Sequence, residues 1–132
     1  MNKLVYKNNE HIIDEKQVGK VLYLSYSILE KTELVEQGFS TRIGGVSKGI
    51  YETMNLSYSR GDDEMAVREN YRRMADALGV SEESFVFSAQ THTTNVQKVT
   101  EANRKDKFQD IDGLITNVPG LCLVTSYADC VP

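Results

Sequence analysis

The sequence predicts a mixed α/β domain in which a layered sheet of short strands is flanked by helices. Residues 63–78 have the periodicity of an amphipathic helix, because apolar residues recur there every three or four positions. Several short segments are instead rich in the aliphatic, aromatic and β-branched residues that favour strands. A chain of 132 residues can bury a core of its own, so we predict a single domain over residues 1–132.

The predicted strands are short and occur both before and after the helix in the sequence. They are residues 21–26, 38–42, 85–87, 95–100, 112–116 and 121–126. The strand at residues 85–87 is wholly apolar and is expected to be buried. Residues 43–62 are rich in glycine, serine and asparagine, which predicts a long irregular loop. Such a loop inside a compact domain is more often functional than idle. Residues 101–109 are polar and predict a surface loop.

Residues 63–78 form the strongest predicted element. Asp62 or Asp63 can cap the start of the helix, and a glycine follows its last residue. The apolar stripe that we expect to face the core consists of Val67, Tyr71, Met74 and Leu78. Arg72 and Arg73 lie off this stripe, and we predict a solvated face there rather than a phosphate site.

The composition argues against several classes of function. A formal net charge of −4 gives no electrostatic basis for binding nucleic acid or an anionic membrane. No apolar run approaches the roughly 20 residues that span a bilayer, and the first residues lack the apolar core of a signal peptide. We therefore expect a cytoplasmic protein. Cys122 lies within an apolar run and is predicted to be a small buried side chain.

Two loop segments before the helix offer polar groups for chemistry. In Thr-Arg-Ile-Gly-Gly-Val-Ser, residues 41–47, Gly44 and Gly45 would let backbone amides approach a ligand, and Arg42 offers a forked donor to an anion. An ordinary loop can have the same pattern, since Gly-Gly pairs are common. Asn55 either orients a ligand or closes a turn on its own backbone.

Two later positions offer the soft donors that zinc prefers. His92 follows a predicted strand and lies among threonines, where a metal ligand, a general base and a hydrogen-bonded structural imidazole are all open. Cys130 stands beside Asp129, whose carboxylate disfavours a bare thiolate unless a cation is bound. This favours a zinc ligand over a cysteine nucleophile. His11 has no partner in sequence and is expected on the surface.

Six segments, taken in order, resemble one known pattern. They are residues 41–47, Met-Asn-Leu at 54–56, Gly-Asp-Asp at 61–63 with Val67 and Asn70, Gln-Thr-His at 90–92, Asp-Gly-Leu-Ile-Thr at 112–116 and Ala-Asp-Cys-Val-Pro at 128–132. Together they are similar to the YfiH-like family, long described as laccase-domain or multicopper polyphenol oxidases and now regarded as purine nucleoside phosphorylases. The order of the segments makes the resemblance specific, although no single segment does.

The resemblance implies a fold, a metal and its ligands. Members have one α/β sandwich domain, longer than this chain and likened to a bacterial toxin deamidase with a Cys–His pair. Their metal, usually zinc, is held by the histidine and the cysteine that match His92 and Cys130. A second histidine, in a His-Ala-Gly-Trp-Arg-Gly segment, completes the set. The chain contains no tryptophan, so we expect that third ligand beyond Pro132 and interpret the chain as the N-terminal half of such a domain.

From the resemblance we predict a zinc-dependent purine nucleoside phosphorylase. It would split adenosine, inosine or methylthioadenosine with phosphate into a free base and ribose 1-phosphate, with adenosine deamination as a second activity. Arg42, Gly44 and Gly45 would hold phosphate, Asn55 the nucleoside, and Asp129 would orient a ligand or carry a proton. Copper is disfavoured as the metal, because multicopper chemistry needs many histidines and this chain has two.

Two alternatives stand beside this prediction. In one, Cys130 is a nucleophile activated by His92, in an amidase acting on amino-acid or peptidoglycan-type substrates. In the other, the chain is an inactive module that needs a completing segment.

Overall fold

The computed structural model of the protein describes residues 5–8 and 10–128. The chain divides into two compact units, Met1–Gly79 and Val80–Pro132. Short strands and helices follow one another along it, which confirms the predicted mixed α/β class. The single domain predicted over residues 1–132 stays a prediction. Among the described residues, no helix is long and apolar enough to cross a membrane.

The first unit contains an antiparallel three-stranded sheet in the order β1-β2-β3. Its strands are β1 (Ile13–Val18), β2 (Val21–Tyr26) and β3 (Phe39–Ser40). The central strand has the predicted bounds, whereas β3 is shorter than the predicted residues 38–42. Sequence reasoning missed β1 because charged and amide side chains dominate it, and its pairing with β2 overrides that composition. A one-turn helix, α1 (Ser27–Glu30), follows β2.

Helix α2 (Glu64–Leu78) confirms the predicted helix. The Asp63 carboxylate accepts a backbone N–H of the first turn, and Gly79 ends the helix in the left-handed conformation, with φ of 69°. The apolar face of the helix packs in a core whose buried members are Val21, Met54, Met74 and Ala77. The long loop before the helix is irregular, as predicted, apart from one 3-10 turn at Gly49–Tyr51.

The second unit contains two pairs of parallel strands. Its strands are β4 (Phe85–Val86), β5 (Val96–Val99), β6 (Gly113–Thr116) and β7 (Cys122–Leu123). Strand β4 pairs with β7 and β5 pairs with β6, so both pairs join segments that are distant in sequence. Each strand lies within a segment that the sequence predicts to be extended.

Two phenylalanines depart from the sequence predictions in this unit. The buried strand predicted over residues 85–87 is wrong for Phe87, which is 43% exposed because β4 ends one residue earlier. Phe108 lies in the segment predicted to be a polar surface loop, yet it is buried in a core with Val86 and Val99. Cys122 is half-buried, and burial raises the pKa of its thiol.

Candidate functional site

Arg42 lies just after β3 with its side chain exposed to solvent. Its Nε and Nη2 atoms donate to the Glu52 carbonyl oxygen over 3.1 and 2.7 Å. Its own carbonyl oxygen accepts the backbone N–H groups of Thr53 and Met54, so the loop closes upon itself. One edge of the guanidinium is thus held by the loop, and the group still has further N–H donors with which to reach an anion.

Gly44 and Gly45 occur where two stretches of backbone pass close together. A Cβ atom at Gly44 would lie 2.2 Å from the Lys20 carbonyl oxygen, and one at Gly45 would lie 1.9 Å from that of Thr53. The Gly45 N–H donates to Thr53 Oγ1 over 3.2 Å. Both glycines therefore serve internal packing, and their contact with phosphate stays a prediction.

The helix arginines differ from each other. Arg72 is exposed and forms ion pairs with Glu69 and Asp76, which confirms the predicted solvated face at that position. Arg73 also pairs with Glu69, but its Nη1 donates to the Gly44 carbonyl oxygen over 2.9 Å, and its side chain is only 27% exposed. The predicted solvated face is wrong for Arg73, because its guanidinium satisfies a carbonyl group of the glycine loop.

Asn55 closes a turn. Its Oδ1 accepts the Ser57 N–H over 3.1 Å, and its Nδ2 donates to the Ser57 carbonyl oxygen over 3.3 Å. The same Nδ2 also donates to Asp62 Oδ2 over 3.0 Å. Of the two roles open from the sequence, this geometry is that of the turn, and contact with a nucleoside stays a prediction.

Asn70 is fully buried on the face of α2 that meets the loop. Its Oδ1 accepts the Val46 N–H over 2.8 Å, and its Nδ2 donates to Ser47 Oγ over 2.9 Å and to the Asn55 carbonyl oxygen over 2.8 Å. Ser47 Oγ donates in turn to Asp62 Oδ2, and this hydrogen bond, followed by that from Asn55, lowers the pKa of the Asp62 carboxyl group. Sequence reasoning missed this network. The feature of the sequence that could have revealed the network is the amide side chain of Asn70 within the apolar stripe of the helix.

His92 follows β4 in an exposed loop. Its φ of 63° lies in the left-handed region, which residues other than glycine rarely adopt. Its backbone N–H donates to Asp112 Oδ2 over 2.9 Å. Among the described residues, its imidazole has no hydrogen-bonding partner, so the structural imidazole that the sequence left open is not seen there.

The Asp112 carboxylate accepts hydrogen bonds from the backbone N–H groups of the loop that carries His92. Its Oδ1 accepts those of Thr91 and Thr93, both over 3.0 Å, while its Oδ2 accepts that of His92. The N–H of Thr93 and then that of Thr91 are the main causes that lower the pKa of the Asp112 carboxyl group. The sequence places Asp112 in a matched segment but does not reveal this role, since it depends on two segments that meet only in the fold.

The parallel pairing of β4 with β7 brings two predicted site segments together. Phe85 lies opposite Cys122, and Val86 lies opposite Leu123. Beyond these strands, the Ser126 N–H donates to Gln90 Oε1 over 2.8 Å. The segment that carries Gln90 and His92 therefore lies beside the segment that leads towards Cys130.

Asp129 and Cys130 lie outside the residues that the structure describes. Within residues 5–8 and 10–128, no group of three or more histidine, cysteine, aspartate or glutamate side chains could hold a metal ion. His92 is therefore the only member of the predicted ligand pair whose surroundings the structure describes.

A cleft of about 560 Å³ opens in the second unit. Its lining includes Phe85, Phe87, Ser88, Lys105 and Phe108. The Ser88 hydroxyl is buried and has no hydrogen-bonding partner in the part of the chain that the structure describes. His92 is not among the lining residues, so the cleft is not the predicted site.

Residues 36–132 match the family described as multi-copper polyphenol oxidoreductase laccase. The chain is 38% identical, over 102 residues, to the purine nucleoside phosphorylase YlmD of Geobacillus stearothermophilus. This match covers 72% of the chain and 37% of the relative. A purine nucleoside phosphorylase of Corynebacterium glutamicum is 39% identical over 99 residues, which cover 74% of the chain and 40% of that relative. The chain thus spans about two fifths of the length of these relatives.

Two crystal structures show a similar fold. The hypothetical protein YfiH of Bacillus licheniformis superposes with a TM-score of 0.68 at 27% identity, covering 83% of this chain and 42% of that one. YlmD of Geobacillus stearothermophilus has a TM-score of 0.68 at 28% identity, covering 85% of this chain and 43% of that one. The fold of the chain therefore corresponds to part of a longer fold in these proteins.

Proposed function

Because the chain belongs to the YfiH-like family, matched above as multi-copper polyphenol oxidoreductase laccase, we propose that it forms part of a zinc-dependent purine nucleoside phosphorylase. The substrates would be a purine nucleoside such as adenosine, inosine or methylthioadenosine, together with phosphate. The names of the similar proteins from Geobacillus stearothermophilus and Corynebacterium glutamicum support the reaction class. The zinc, and the choice among the nucleosides, are part of the proposal.

The pairing of β4 with β7 is the observation that carries this proposal. Ligand sites in parallel sheets gather where the carboxyl ends of neighbouring strands lead into loops. Here one such loop carries His92, and the neighbouring segment leads towards Cys130. An imidazole and a thiolate are typical zinc ligands, and a catalytic zinc adds a third protein ligand and keeps one position open.

His92, the one described member of this set of three ligands, is suited to a metal. His92 is exposed, and its imidazole hydrogen-bonds to no other described residue, so nothing in the described part of the chain competes with a cation for it. When bound, zinc would supply Lewis-acid chemistry. In the proposal, Cys130 is the second ligand and the third lies beyond Pro132.

Arg42 is the proposed phosphate-binding residue. Its guanidinium is exposed, is oriented by the Glu52 carbonyl oxygen, and retains N–H groups for an anion. Gly44 and Gly45 would support it by letting the backbone pass close beneath the loop. Asn55 would maintain the turn and orient the nucleoside.

Asp129 has the remaining role in the proposal. Its carboxylate would orient a ligand or carry a proton during the reaction. Hydrolytic removal of the adenosine 6-amino group is kept as a second reaction of the same site, to be measured alongside phosphorolysis.

The test is metal content and phosphorolysis in the complete gene product. We expect His92→Ala and Cys130→Ala each to abolish both zinc retention, measured by elemental analysis, and the release of hypoxanthine from inosine with phosphate. His11→Ala is the matched control, since it removes the other histidine of this chain, which is exposed and lies beside Tyr6 with ring centroids 4.4 Å apart. Ammonia release from adenosine reports the second reaction. Zinc retention and phosphorolysis that survive both site substitutions would reject the proposal.

A further inference from the structure

The carboxylate of Asp112 accepts hydrogen bonds from three consecutive backbone N–H groups. Those of Thr91 and Thr93 reach Oδ1 over 3.0 Å, and that of His92 reaches Oδ2 over 2.9 Å. The Thr93 hydroxyl adds a hydrogen bond of 3.1 Å to Oδ1. Consecutive N–H groups can converge on one anion where the backbone between them alternates between right- and left-handed conformations.

His92 has the left-handed conformation that brings consecutive N–H groups to one anion in such a segment. A φ of 63° is disfavoured for a residue other than glycine, because its Cβ atom then lies too close to the following carbonyl group. Such a conformation persists only where surrounding contacts outweigh its cost. Asp112 is the residue whose side chain accepts the His92 N–H, while the neighbouring Thr91 and Thr93 hydroxyls also donate to Asp110.

Asp112 is itself held firmly by the parallel pair β5–β6. The backbone N–H groups of Asp112 and Gly113 both donate to the Asn95 carbonyl oxygen over 3.2 Å. Gly113 then begins β6 opposite Val96, and a Cβ atom at Gly113 would lie 3.0 Å from a Val96 methyl group. The carboxylate thus extends from the start of a closely packed strand into the loop that carries His92, where Asp110 accepts the Thr91 and Thr93 hydroxyls beside it.

We propose that Asp112 is a positioning residue that fixes the left-handed backbone of His92 and thereby sets the direction of the imidazole. The proposal rests on the proposed role of His92 as a metal ligand. Asp112 does not touch the metal or the substrate in this scheme. It acts through the three N–H groups, and an imidazole on a freely moving loop would bind the same metal more weakly.

The role of Asp112 is tested by comparing Asp112→Asn with Asp110→Asn. An amide at position 112 has one acceptor atom and one donor atom, so it must lose either the His92 N–H or the Thr91 and Thr93 N–H groups. Asp110 lies beside the same loop, and its side chain accepts the Thr91 hydroxyl over 3.0 Å. An asparagine there removes the same charge but keeps that acceptor and tolerates the φ of 55° at this position.

Amide hydrogen exchange and the three-bond HN–Hα coupling, measured by NMR, report on the loop backbone. In Asp112→Asn we expect exchange at residues 91–93 to accelerate by about tenfold or more, and the His92 coupling to change. We expect Asp110→Asn to stay within about twofold of the parent protein in the same measurements. Amide shifts in β5 and β6 that match those of the parent protein show that the fold is intact.

Titration with zinc chloride alone then measures the zinc affinity, which depends on the direction of the imidazole. We expect Asp112→Asn to weaken zinc binding by about ten- to a hundredfold, and Asp110→Asn to leave it unchanged. Unchanged exchange at residues 91–93 in Asp112→Asn overturns the proposal. A disordered loop with unchanged zinc affinity also overturns it, while leaving the proposed function intact. Zinc binding that does not depend on His92 rejects the proposed function instead, and the backbone measurements then decide whether Asp112 fixes the loop.

Discussion

Asn70 accepts the backbone N–H of Val46 over 2.8 Å, although the two residues are 24 positions apart in the chain. This hydrogen bond joins the middle of α2 to the glycine loop that begins near Arg42. The same amide donates to Ser47 and to the Asn55 carbonyl oxygen, so all of its hydrogen-bonding groups are directed into the loop. The conformation of a predicted phosphate-binding loop thus depends on one buried side chain of a helix.

Asn70→Ala should be strongly destabilising. It leaves the Val46 N–H and the Asn55 carbonyl oxygen without their buried partner, which should lower the free energy of unfolding by about 3 kcal/mol. Urea unfolding followed by circular dichroism measures the change. The matched control is Asn117→Ala at an exposed position, where we expect a change within about 0.5 kcal/mol. An Asn70→Ala protein as stable as the control would show that water replaces the lost hydrogen bonds.

Gly45→Ala should be more damaging than Gly49→Ala. At Gly45 the new methyl group would meet the Thr53 carbonyl oxygen at 1.9 Å, so the backbone must move, at a cost of about 3 kcal/mol or more. At Gly49 nothing lies within 4 Å of the methyl group, and only the φ of 64° opposes it, at about 1 kcal/mol. Thermal or urea unfolding of the two variants separates crowding from backbone conformation. Equal losses of stability would contradict the close approach at Gly45.

Glu69 should contribute to the acid sensitivity of α2. Hydrogen bonds from Arg72 and then Arg73 lower the pKa of its carboxyl group from an ordinary 4.5 to about 2. Since the folded pKa is the lower one, this stabilisation is complete above about pH 4.5 and is lost as the pH falls towards 2. Solvent screening makes the contribution modest, because the side chain is 31% exposed.

The check is the difference in unfolding free energy between pH 7 and pH 3. Glu69→Gln should show a smaller difference than the parent protein, because it has no carboxyl group at that position to protonate. Glu36→Gln, which removes the same charge from an exposed loop, should behave as the parent protein does. A pH dependence that Glu69→Gln leaves unaltered would place the acid sensitivity elsewhere.

The two cysteines should differ in their reaction with iodoacetamide. If Cys130 is a zinc ligand, it should be labelled in metal-free protein and protected from labelling after zinc is added. Cys122 should react slowly in both states, because burial raises the pKa of its thiol. Mass spectrometry of the digested protein measures both sites in one sample. Rapid labelling of Cys130 in the presence of zinc would instead favour the amidase alternative.

The sequence predicted the elements whose composition agrees with their final environment. Helix α2 is the clearest case, since its periodicity and its cap are local features. Strand β1 was missed because its residues are those of a surface segment, and only pairing with β2 makes it a strand. Phe87 was predicted to be buried because an apolar side chain in a strand usually is, but β4 stops one residue too early.

The candidate site was predictable only in its chemistry. His92, Cys130 and Arg42 stand out by residue type and by the order of their segments along the chain. Asp112 and Asn70, which hydrogen-bond the loops that carry His92 and follow Arg42, also belong to matched segments, but the sequence does not reveal these contacts, because each is made to backbone atoms of a segment distant in sequence. Periodicity and composition carry no information about such contacts.

The pairing of Phe85 with Cys122 and of Val86 with Leu123 also bears on the order of folding. Helix α2 is built from local contacts and can form early, whereas β4 and β7 meet only after the long intervening chain has been closed into a loop, which is costly in entropy. We therefore expect the surroundings of His92 to become ordered late during refolding. Pulse-labelled hydrogen exchange would then show the Val124 amide, which bonds the Val86 carbonyl oxygen, gaining protection after the amides of α2. Simultaneous protection would mean that the pairing of β4 with β7 forms as early as the helix.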